Sequence, residues 1–348
     1  MDTKRAYIDP EHPDPAVLHE AAALLRAGEL VAFPTETVYG LGANALDAEA
    51  CARIFEVKGR PQDNPLIVHV SRPKMVDEII AHWTPAAEIC ARTFWPGPLT
   101  LVFPKNERIP DRVTAGLNTV AVRMPDHPVA LALIEAGGLP LAAPSANLSG
   151  RPSPTTGSHV WEDMRGRIPL ILDAGSCNVG LESTVLDVSG DVPVILRPGG
   201  LAKEDLEKVL GPVELDRPSV TGVPRAPGLK YRHYAPRGEM YVVVGPKDHV
   251  LDRMSEEIKI GRYQHKRIAI LCTLESAPQL QLEQPDLLYV LGSRTQPQEV
   301  AASLFAGLRL CDQRGMELIL AEGFDEGGLG LAIMNRLDKA SGHKVIRV

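Results

Sequence analysis

The sequence predicts an α/β (α+β) protein in which a mixed, twisted β-sheet with flanking helices is followed by a small parallel α/β domain. Its 348 residues exceed what one hydrophobic core usually supports, which favours two domains. In residues 1–210 short apolar strands outnumber helices and several strands follow one another directly, as in a mixed sheet. After residue 238 strands and helices alternate regularly, which is typical of a parallel sheet.

Caps and apolar runs place the elements of the first domain. A helix is expected between Asp14 and Gly28, because Asp14 can cap it, Pro15 suits its first turn and glycine commonly ends a helix. The same signals predict a second helix between Asp47 and Gly59. Short apolar runs predict strands at 30–33, 65–70, 98–103, 119–123, 139–143, 169–172, 184–188 and 193–197, and helices near 73–82, 85–94 and 128–136.

Residues 211–238 are predicted to be a linker, because they are rich in proline and glycine and have no periodic apolar pattern. The predicted boundaries are therefore 1–210 for the first domain, 211–238 for the linker and 239–348 for the small α/β domain. Within that last domain, strands are expected at 240–244, 267–272, 287–291 and 317–321, and helices at 297–311 and 331–340.

Composition and charge limit the class of protein. The net charge of −7 disfavours a broad nucleic-acid binder, although Arg225–Arg237 contains four basic residues and no acid. That run suits either a compact anionic ligand or a solvated linker. No apolar run approaches the ~18 residues that cross a bilayer, and Met1–Pro15 lacks the apolar stretch of a secretory signal. Because the five cysteines are odd in number and widely spaced, we expect reduced thiols and a cytoplasmic location. We also expect no membrane partner.

Common sequence motifs give little support to several other chemistries. Gly40–Ala45 reads G-x-G-x-x-A, but Pro34–Tyr39 separate it from the preceding strand, which disfavours a nicotinamide site. The sequence has no G-x-x-x-x-G-K-[ST], H-E-x-x-H or G-x-S-x-G motif. No histidine pairs with another His or a Cys at metal-ligand spacing, so no protein-bound metal is predicted.

Polar clusters lie in loops at the predicted strand ends, where α/β proteins bind ligands. Each cluster alone also suits a structural role, as a helix-dipole partner or a turn. Together they contain four cationic side chains and several hydroxyl groups. An anion such as phosphate or carboxylate would neutralise the cationic side chains. The clusters are Thr35-Glu36-Thr37, Lys58-Gly59-Arg60, Asp63-Asn64 with His69, Arg123, Ser145–Gly150, Glu182-Ser183-Thr184 and Arg197-Pro198-Gly199.

These segments together resemble the YrdC family over roughly residues 15–210. The matching blocks are Phe33–Leu41, Lys58–Arg60, Asn64–Leu66, Trp95–Thr100, Arg123–Pro125, Pro144–Gly150, Glu182–Val185 and Leu196–Gly199. Tyr231–Pro236 and Met334–Leu337 resemble the long form of the family. The resemblance implies a YrdC-like first domain and, in the long form, a Rossmann-like C-terminal domain.

The resemblance implies an L-threonylcarbamoyladenylate synthase, which converts L-threonine, bicarbonate and ATP into threonylcarbamoyl-AMP, pyrophosphate and water for tRNA modification. By that resemblance the catalytic set around the nucleotide phosphates is Lys58, Arg60, Ser145 and Asn147. ATP would also contact Asn64, Thr119, Ser153, Arg197 and Tyr234. L-Threonine would contact Thr35, Thr37, His69, Arg123, Ala143 and Ser183.

The implied reaction needs positioning and charge neutralisation more than a covalent nucleophile, which fits the lack of a recognisable catalytic triad. Mg²⁺ is expected to arrive with ATP and to keep several waters. We expect the linker, with Tyr231, Arg232 and Tyr234, to close over the first domain as a lid that protects the carbamate. The product is expected to pass to a tRNA threonylcarbamoyl-transferase.

Two other functions stay open at the level of sequence. An RNA-binding module using the same basic concavity would lose affinity steeply with salt, whereas a small-ligand site would respond to ATP or pyrophosphate. The acidic total charge weighs against that module, and we expect no stable nucleic-acid binding. Relatives that use carbamoyl phosphate to mature metal centres share the adenylation chemistry, but their zinc-finger-like and acylphosphatase-like parts are not found in these 348 residues.

Overall fold

The computed structural model describes residues 2–216, 224–227 and 233–348, which divide into two compact units. The first unit holds the described residues up to Ser149, with Ser153–Asn178 and those from Glu182 to Pro227. The second holds Gly150–Pro152, Val179–Leu181 and the described residues from His233 onward. The predicted domain boundaries at 210 and 238 stay a prediction.

The first unit is built on a mixed β-sheet with eleven strands in the described residues. In chain order they are β1 (Lys4–Tyr7), β2 (Val31–Phe33), β3 (Gly40–Asn44), β4 (Ile67–His69), β5 (Leu99–Pro104), β6 (Thr119–Arg123), β7 (Leu141–Ala142), β8 (Leu170–Asp173), β9 (Thr184–Asp187), β10 (Val194–Arg197) and β11 (Glu214–Leu215). Their order across the sheet is β1-β8-β2-β3-β7-β4-β6-β5-β9-β10-β11. Strand β6 lies parallel to β4 and antiparallel to β5, so the predicted mixed sheet is confirmed.

The described helices of this unit are α1 (Pro15–Arg26), α2 (Ala48–Lys58), α3 (Pro73–Asp77), α4 (Pro85–Phe94), α5 (Asp111–Thr114), α6 (Pro128–Gly137), α7 (Gly157–Met164) and α8 (Lys203–Leu210). The five helices predicted in this unit are present, although the one expected near 73–82 ends at Asp77, and α5, α7 and α8 were not predicted. The Asp14 carboxylate accepts a hydrogen bond from the Ala16 N–H (2.8 Å), which caps α1. Helix α2 ends at Gly59, whose φ of 61° is the left-handed conformation that glycine adopts without a steric cost.

The G-x-G run forms strand β3 and does not open a helix, contrary to what a dinucleotide fingerprint requires. It pairs antiparallel with β2 in the register Phe33 to Gly40. A Cβ atom at Gly40 would lie 3.0 Å from the Phe33 ring, and one at Gly42 would lie 2.9 Å from it. The two glycines therefore make room for the buried Phe33 ring. This strand was not predicted, because two glycines in five residues suggest a loop.

The second unit is the Rossmann-like domain, and its prediction is confirmed. Five parallel strands, in the order β14-β13-β15-β12-β16, are β12 (Glu239–Val244), β13 (Ile268–Thr273), β14 (Leu287–Gly292), β15 (Leu318–Glu322) and β16 (Val345–Arg347). The helices are α9 (Lys247–Tyr263), α10 (Ala277–Leu282), α11 (Pro297–Gln313) and α12 (Gly330–Ser341). Helix α9 was not predicted, although Val250, Met254 and Ile258 recur every four residues, as on one face of an amphipathic helix.

Part of the predicted linker belongs to the sheet of the first unit. Glu214 and Leu215 form β11, which pairs in parallel with β10. Residues 217–223 and 228–232, including the predicted lid residues Tyr231 and Arg232, lie outside the described residues. Within the described part of the chain, no helix combines the length and apolar character needed to cross a membrane.

Candidate active site

The first part of the candidate site lies where α2 ends beside the loop that follows β7. Lys58 is buried, and its ammonium group donates hydrogen bonds to the backbone carbonyls of Ser145 and Asn147. The Ser145 hydroxyl donates to Asn147 Oδ1 at 2.6 Å. The N–H of Ser149 donates to the Lys58 carbonyl at 2.9 Å, which fixes the loop to the end of the helix. The structure thus brings Lys58, Ser145 and Asn147 together, although 87 residues separate Lys58 from Ser145.

Arg60 and Asn64 form a second polar group just beyond α2. The Arg60 guanidinium donates to the backbone carbonyls of Asn64 (3.3 Å) and Pro65 (3.0 Å). These bonds orient the arginine side chain through the backbone of the loop. The Asn64 side chain is buried, and its Oδ1 has no hydrogen-bond partner within the described residues. A buried amide oxygen without a partner costs free energy, so it marks a position where a ligand donor would be favourable.

The third group surrounds Arg123 at the end of β6. Its guanidinium lies 2.6 Å from the Glu36 carboxylate, and both side chains are buried. Arg123 Nε donates to the Gly97 carbonyl at 3.3 Å. His69 lies opposite Arg123 in the register of β4 and β6, and its ring packs edge-on against Phe33. Burial and the nearby Arg123 charge lower the pKa of His69 to about 3, so its imidazole is neutral at physiological pH.

Hydroxyl groups line the same region. The Thr35 hydroxyl lies 2.9 Å from that of Thr37 and donates to the Val38 carbonyl at 2.6 Å. The Ser183 hydroxyl lies 2.8 Å from that of Thr100, and Thr100 faces Arg123 across the antiparallel pair of β5 and β6. These groups are buried or nearly so. They provide hydrogen-bond donors and acceptors near the buried guanidinium of Arg123.

Arg197 joins Ser183 to the end of β10. Its guanidinium donates to the Ser183 carbonyl (2.9 Å) and to the Pro227 carbonyl (3.3 Å). The Ser153 hydroxyl donates to Glu182 Oε1 at 2.5 Å, directly before Ser183 in the chain. Ser153, Ser183 and Arg197 therefore belong to one connected set of polar groups.

Backbone hydrogen bonds connect the hydroxyl-lined loop with the lysine-bound loop. The Tyr39 carbonyl accepts from the Ala146 N–H at 2.8 Å, and the Leu41 N–H donates to the Pro144 carbonyl at 2.8 Å. The Ala143 N–H is already bonded to the Ile67 carbonyl at 2.9 Å. The β2–β3 loop that carries Thr35 and Thr37 is thus adjacent to the loop that carries Ser145 and Asn147.

The two remaining predicted ATP residues are Thr119 and Tyr234. Thr119 begins β6, four residues and about 13 Å along the strand from Arg123. The parallel register of β4 and β6, which pairs Ile67 with Ala121, continues towards Thr119 on one strand and towards the segment after Asn64 on the other. Tyr234 lies in the second unit, where its ring stacks on Phe305 and on the Arg336 guanidinium. Their assignment to ATP stays a prediction.

Three residues of this region, Glu36, Thr100 and Cys177, have no predicted role of their own. Cys177 is buried beside the Thr35 backbone, and burial raises the pKa of its thiol. A signal for Glu36 was present, because an acidic residue between two threonines is unusual in a buried loop. No local signal marked Thr100 or Cys177, because each reaches the site only through pairing of distant strands and loops.

A family model described as "Telomere recombination" (Sua5_yciO_yrdC) matches residues 23–199. A second, described as "Threonylcarbamoyl-AMP synthase, C-terminal domain" (Sua5_C), matches residues 201–342. The chain belongs to the Sua5/YciO/YrdC family. The two matches together cover both units of the long Sua5 form, as the resemblance implied.

Similar proteins extend over nearly the whole chain. The threonylcarbamoyl-AMP synthase of Pyrococcus abyssi is 50% identical over 94% of this chain and 95% of its own length. The threonylcarbamoyl-AMP synthase of Bacillus subtilis is 47% identical over the full length of both chains. The crystal structure of P. abyssi Sua5 complexed with L-threonine superposes with a TM-score of 0.95 at 47% identity, covering 99% of this chain and 100% of that chain.

Proposed function

We propose that this Sua5 protein is a threonylcarbamoyl-AMP synthase that converts L-threonine, bicarbonate and ATP into threonylcarbamoyl-AMP, pyrophosphate and water. The observation that carries the proposal is the adjacency of two loops. One holds the hydroxyl groups next to the buried Arg123, and the other is organised by the buried Lys58. Such a pair of loops suits an amino acid beside a polyphosphate.

The amino acid would occupy the region around Arg123. The guanidinium offers a bidentate partner for the carboxylate of threonine. The hydroxyl groups of Thr35, Thr37 and Ser183 would recognise its side chain, and His69, whose ring is neutral, would add no charge. The backbone of Ala143, on the adjacent strand end, completes this predicted set.

The nucleotide would lie against the lysine-bound loop. Lys58, Arg60, Ser145 and Asn147 would position the phosphates and offset the charge that develops on the pyrophosphate leaving group. Asn64, Ser153 and Arg197 supply further polar contacts, with the unpartnered Asn64 Oδ1 as an acceptor. Mg²⁺ would accompany ATP and keep several waters.

The reaction then requires two steps. The amine of threonine attacks the carbon of bicarbonate, a C–O bond breaks, and a carbamate forms with release of water. A carbamate oxygen then attacks the α-phosphorus in line, which breaks the bond to pyrophosphate. Carbamates are unstable in water, so closure of the site would protect the intermediate. We retain the hypothesis that residues 211–238, including Tyr234, form a lid. Turnover that survives cleavage of this segment and mixing of the two halves would contradict it.

The proposal extends to the cellular context of the product. Threonylcarbamoyl-AMP would pass to a transferase that completes N6-threonylcarbamoyladenosine on tRNA. The five cysteines are free and buried, in keeping with reduced thiols and the predicted cytoplasmic location.

Incubation with ATP, bicarbonate and single amino acids tests the function directly. Mass spectrometry of the AMP adducts should identify threonylcarbamoyl-AMP with threonine. Serine should give its adduct less efficiently by only a modest factor, because one methyl group contributes about 1–3 kcal/mol. Pyrophosphate release without a carbamoylated adduct, or an equal yield with every amino acid, would refute the assignment.

A further inference from the structure

Glu36 is a buried carboxylate in the β2–β3 loop whose bonding within the protein is incomplete. Its side chain is 8% exposed, and Oε1 lies 2.6 Å from Arg123 Nη2. Within the described residues, neither carboxylate oxygen of Glu36 completes a hydrogen bond, and neither does Arg123 Nη2. The two side chains are therefore held together by charge alone.

An ion pair with this bonding is an unfavourable element of a core. Removing two charges from water costs several kcal/mol per ion, and the attraction between them offsets that cost only when further hydrogen bonds satisfy both groups. Here Arg123 makes one such bond, from Nε to the Gly97 carbonyl, and within the described residues Glu36 makes none. The arrangement is better suited to a ligand that supplies an anion to Arg123 and a cationic donor to Glu36.

A free α-amino acid is such a ligand, because at neutral pH it carries a carboxylate and an ammonium group on the same carbon atom. The nearby titratable groups do not compete for either charge. Burial raises the pKa of Cys177, keeping its thiol protonated, and burial lowers the pKa of His127 despite the opposing charge of Glu36. His69 is neutral at physiological pH and, with a pKa of about 3, is a poor proton acceptor.

We propose that Glu36 binds the ammonium group of the amino-acid substrate and accepts the proton that this group must lose before its nitrogen is carboxylated. The inference rests on the proposed function. One N–H bond of the ammonium breaks and its proton passes to a Glu36 oxygen. The freed lone pair attacks the carbon of bicarbonate, the N–C bond forms, and a C–O bond breaks. The departing hydroxide takes a second nitrogen proton and leaves as water.

The variant Glu36→Gln tests the binding role, because it keeps the size of the side chain and removes its charge. The probes are L-threonine and 2,3-dihydroxybutanoate of matching configuration, in which a hydroxyl replaces the ammonium. Calorimetry on the full-length protein should show threonine affinity falling about 10- to 100-fold, as expected for a charged hydrogen bond. The affinity for dihydroxybutanoate should be unchanged or higher, because Arg123 is freed from its pair.

Two outcomes would overturn the binding role. An equal loss for both probes would mean that Glu36 only keeps Arg123 in place, and an unchanged affinity for threonine would mean that it does not meet the ammonium. The matched control is Glu322→Gln, another buried glutamate 2.6 Å from an arginine (Arg294), in the second unit. In Glu322→Gln, the ratio of the affinity for threonine to the affinity for dihydroxybutanoate should equal the ratio in the wild type.

The proton-accepting role is tested by kinetics at saturating threonine. Formation of threonylcarbamoyl-AMP by Glu36→Gln should fall at least tenfold, because an amide cannot take the proton, whereas a wild-type rate would overturn this role. Glu36→Asp keeps the charge, should recover part of the rate and selectivity, and provides the test if Glu36→Gln does not fold. Wild-type protein that forms no threonylcarbamoyl-AMP would refute the proposed function itself, which separates the two failures.

Discussion

Replacing Lys58 by methionine removes one buried charge and keeps nearly the same length of apolar chain. In the native protein the Lys58 ammonium donates to two backbone carbonyls of the loop that carries Ser145 and Asn147. The substitution therefore leaves two carbonyls without their donor and also removes a cation from the proposed phosphate site. Both effects act on the same loop.

The magnitude follows from these contacts. One charge-assisted hydrogen bond contributes about 1.5–3 kcal/mol, and about 1.4 kcal/mol corresponds to a tenfold change in rate. Loss of the cation alone predicts a fall of about 10- to 100-fold in kcat/KM for ATP. Release of the loop adds to this, so we expect a total loss on the order of 10²- to 10³-fold and a lower free energy of unfolding by roughly 2–4 kcal/mol.

Steady-state pyrophosphate release, with Tm measured in parallel, checks this prediction. The control is Lys4→Met, which removes another lysine of the first unit, one whose partner Glu20 lies outside the proposed site. It should leave kcat/KM within about threefold of the wild type. This change is small, because a tenfold change corresponds to about 1.4 kcal/mol. A Lys58→Met enzyme that releases pyrophosphate at the wild-type rate would refute the assignment of Lys58 to the phosphates.

Three further changes test other parts of the site and fold. Arg60→Ala should lower turnover about 10- to 100-fold through loss of one charged contact, and pyrophosphate release near the wild-type rate would contradict its role. Gly42→Ala should lower the free energy of unfolding by about 1–3 kcal/mol, because the new Cβ meets the Phe33 ring. The control Gly190→Ala has open space around its Cβ and should leave the free energy of unfolding unchanged. Equal denaturation midpoints for the two variants would refute the packing argument. Burial, then a neighbouring arginine, lowers the pKa of His69 to about 3, so the native state favours the neutral ring and loses stability as pH falls below about 6.5 towards 3. Between pH 7 and 5 this loss should be roughly 2 kcal/mol and should vanish in His69→Gln, as measured by urea unfolding; parallel pH profiles for the two proteins would contradict it.

The sequence by itself determined the elements whose signals are local. Asp14 and Asp47 cap the helices that they were predicted to cap, and Gly59 ends α2 in the left-handed conformation. Caps and glycine stops act within one or two turns of a helix, so they can be recognised without knowledge of the fold. The family resemblance likewise came from contiguous motifs of a few residues each.

Only the tertiary structure decided which charges meet. Lys58, at the end of α2, reaches the loop that follows β7, and Glu36, in the loop between β2 and β3, reaches Arg123 at the end of β6, although β7 and β4 lie between β3 and β6 in the sheet. The role of Gly42 was also decided there, because the need for a glycine comes from the Phe33 ring on the paired strand. Sheet pairing is a non-local interaction, so the contacts that depend on it leave no periodic or positional signal in the sequence.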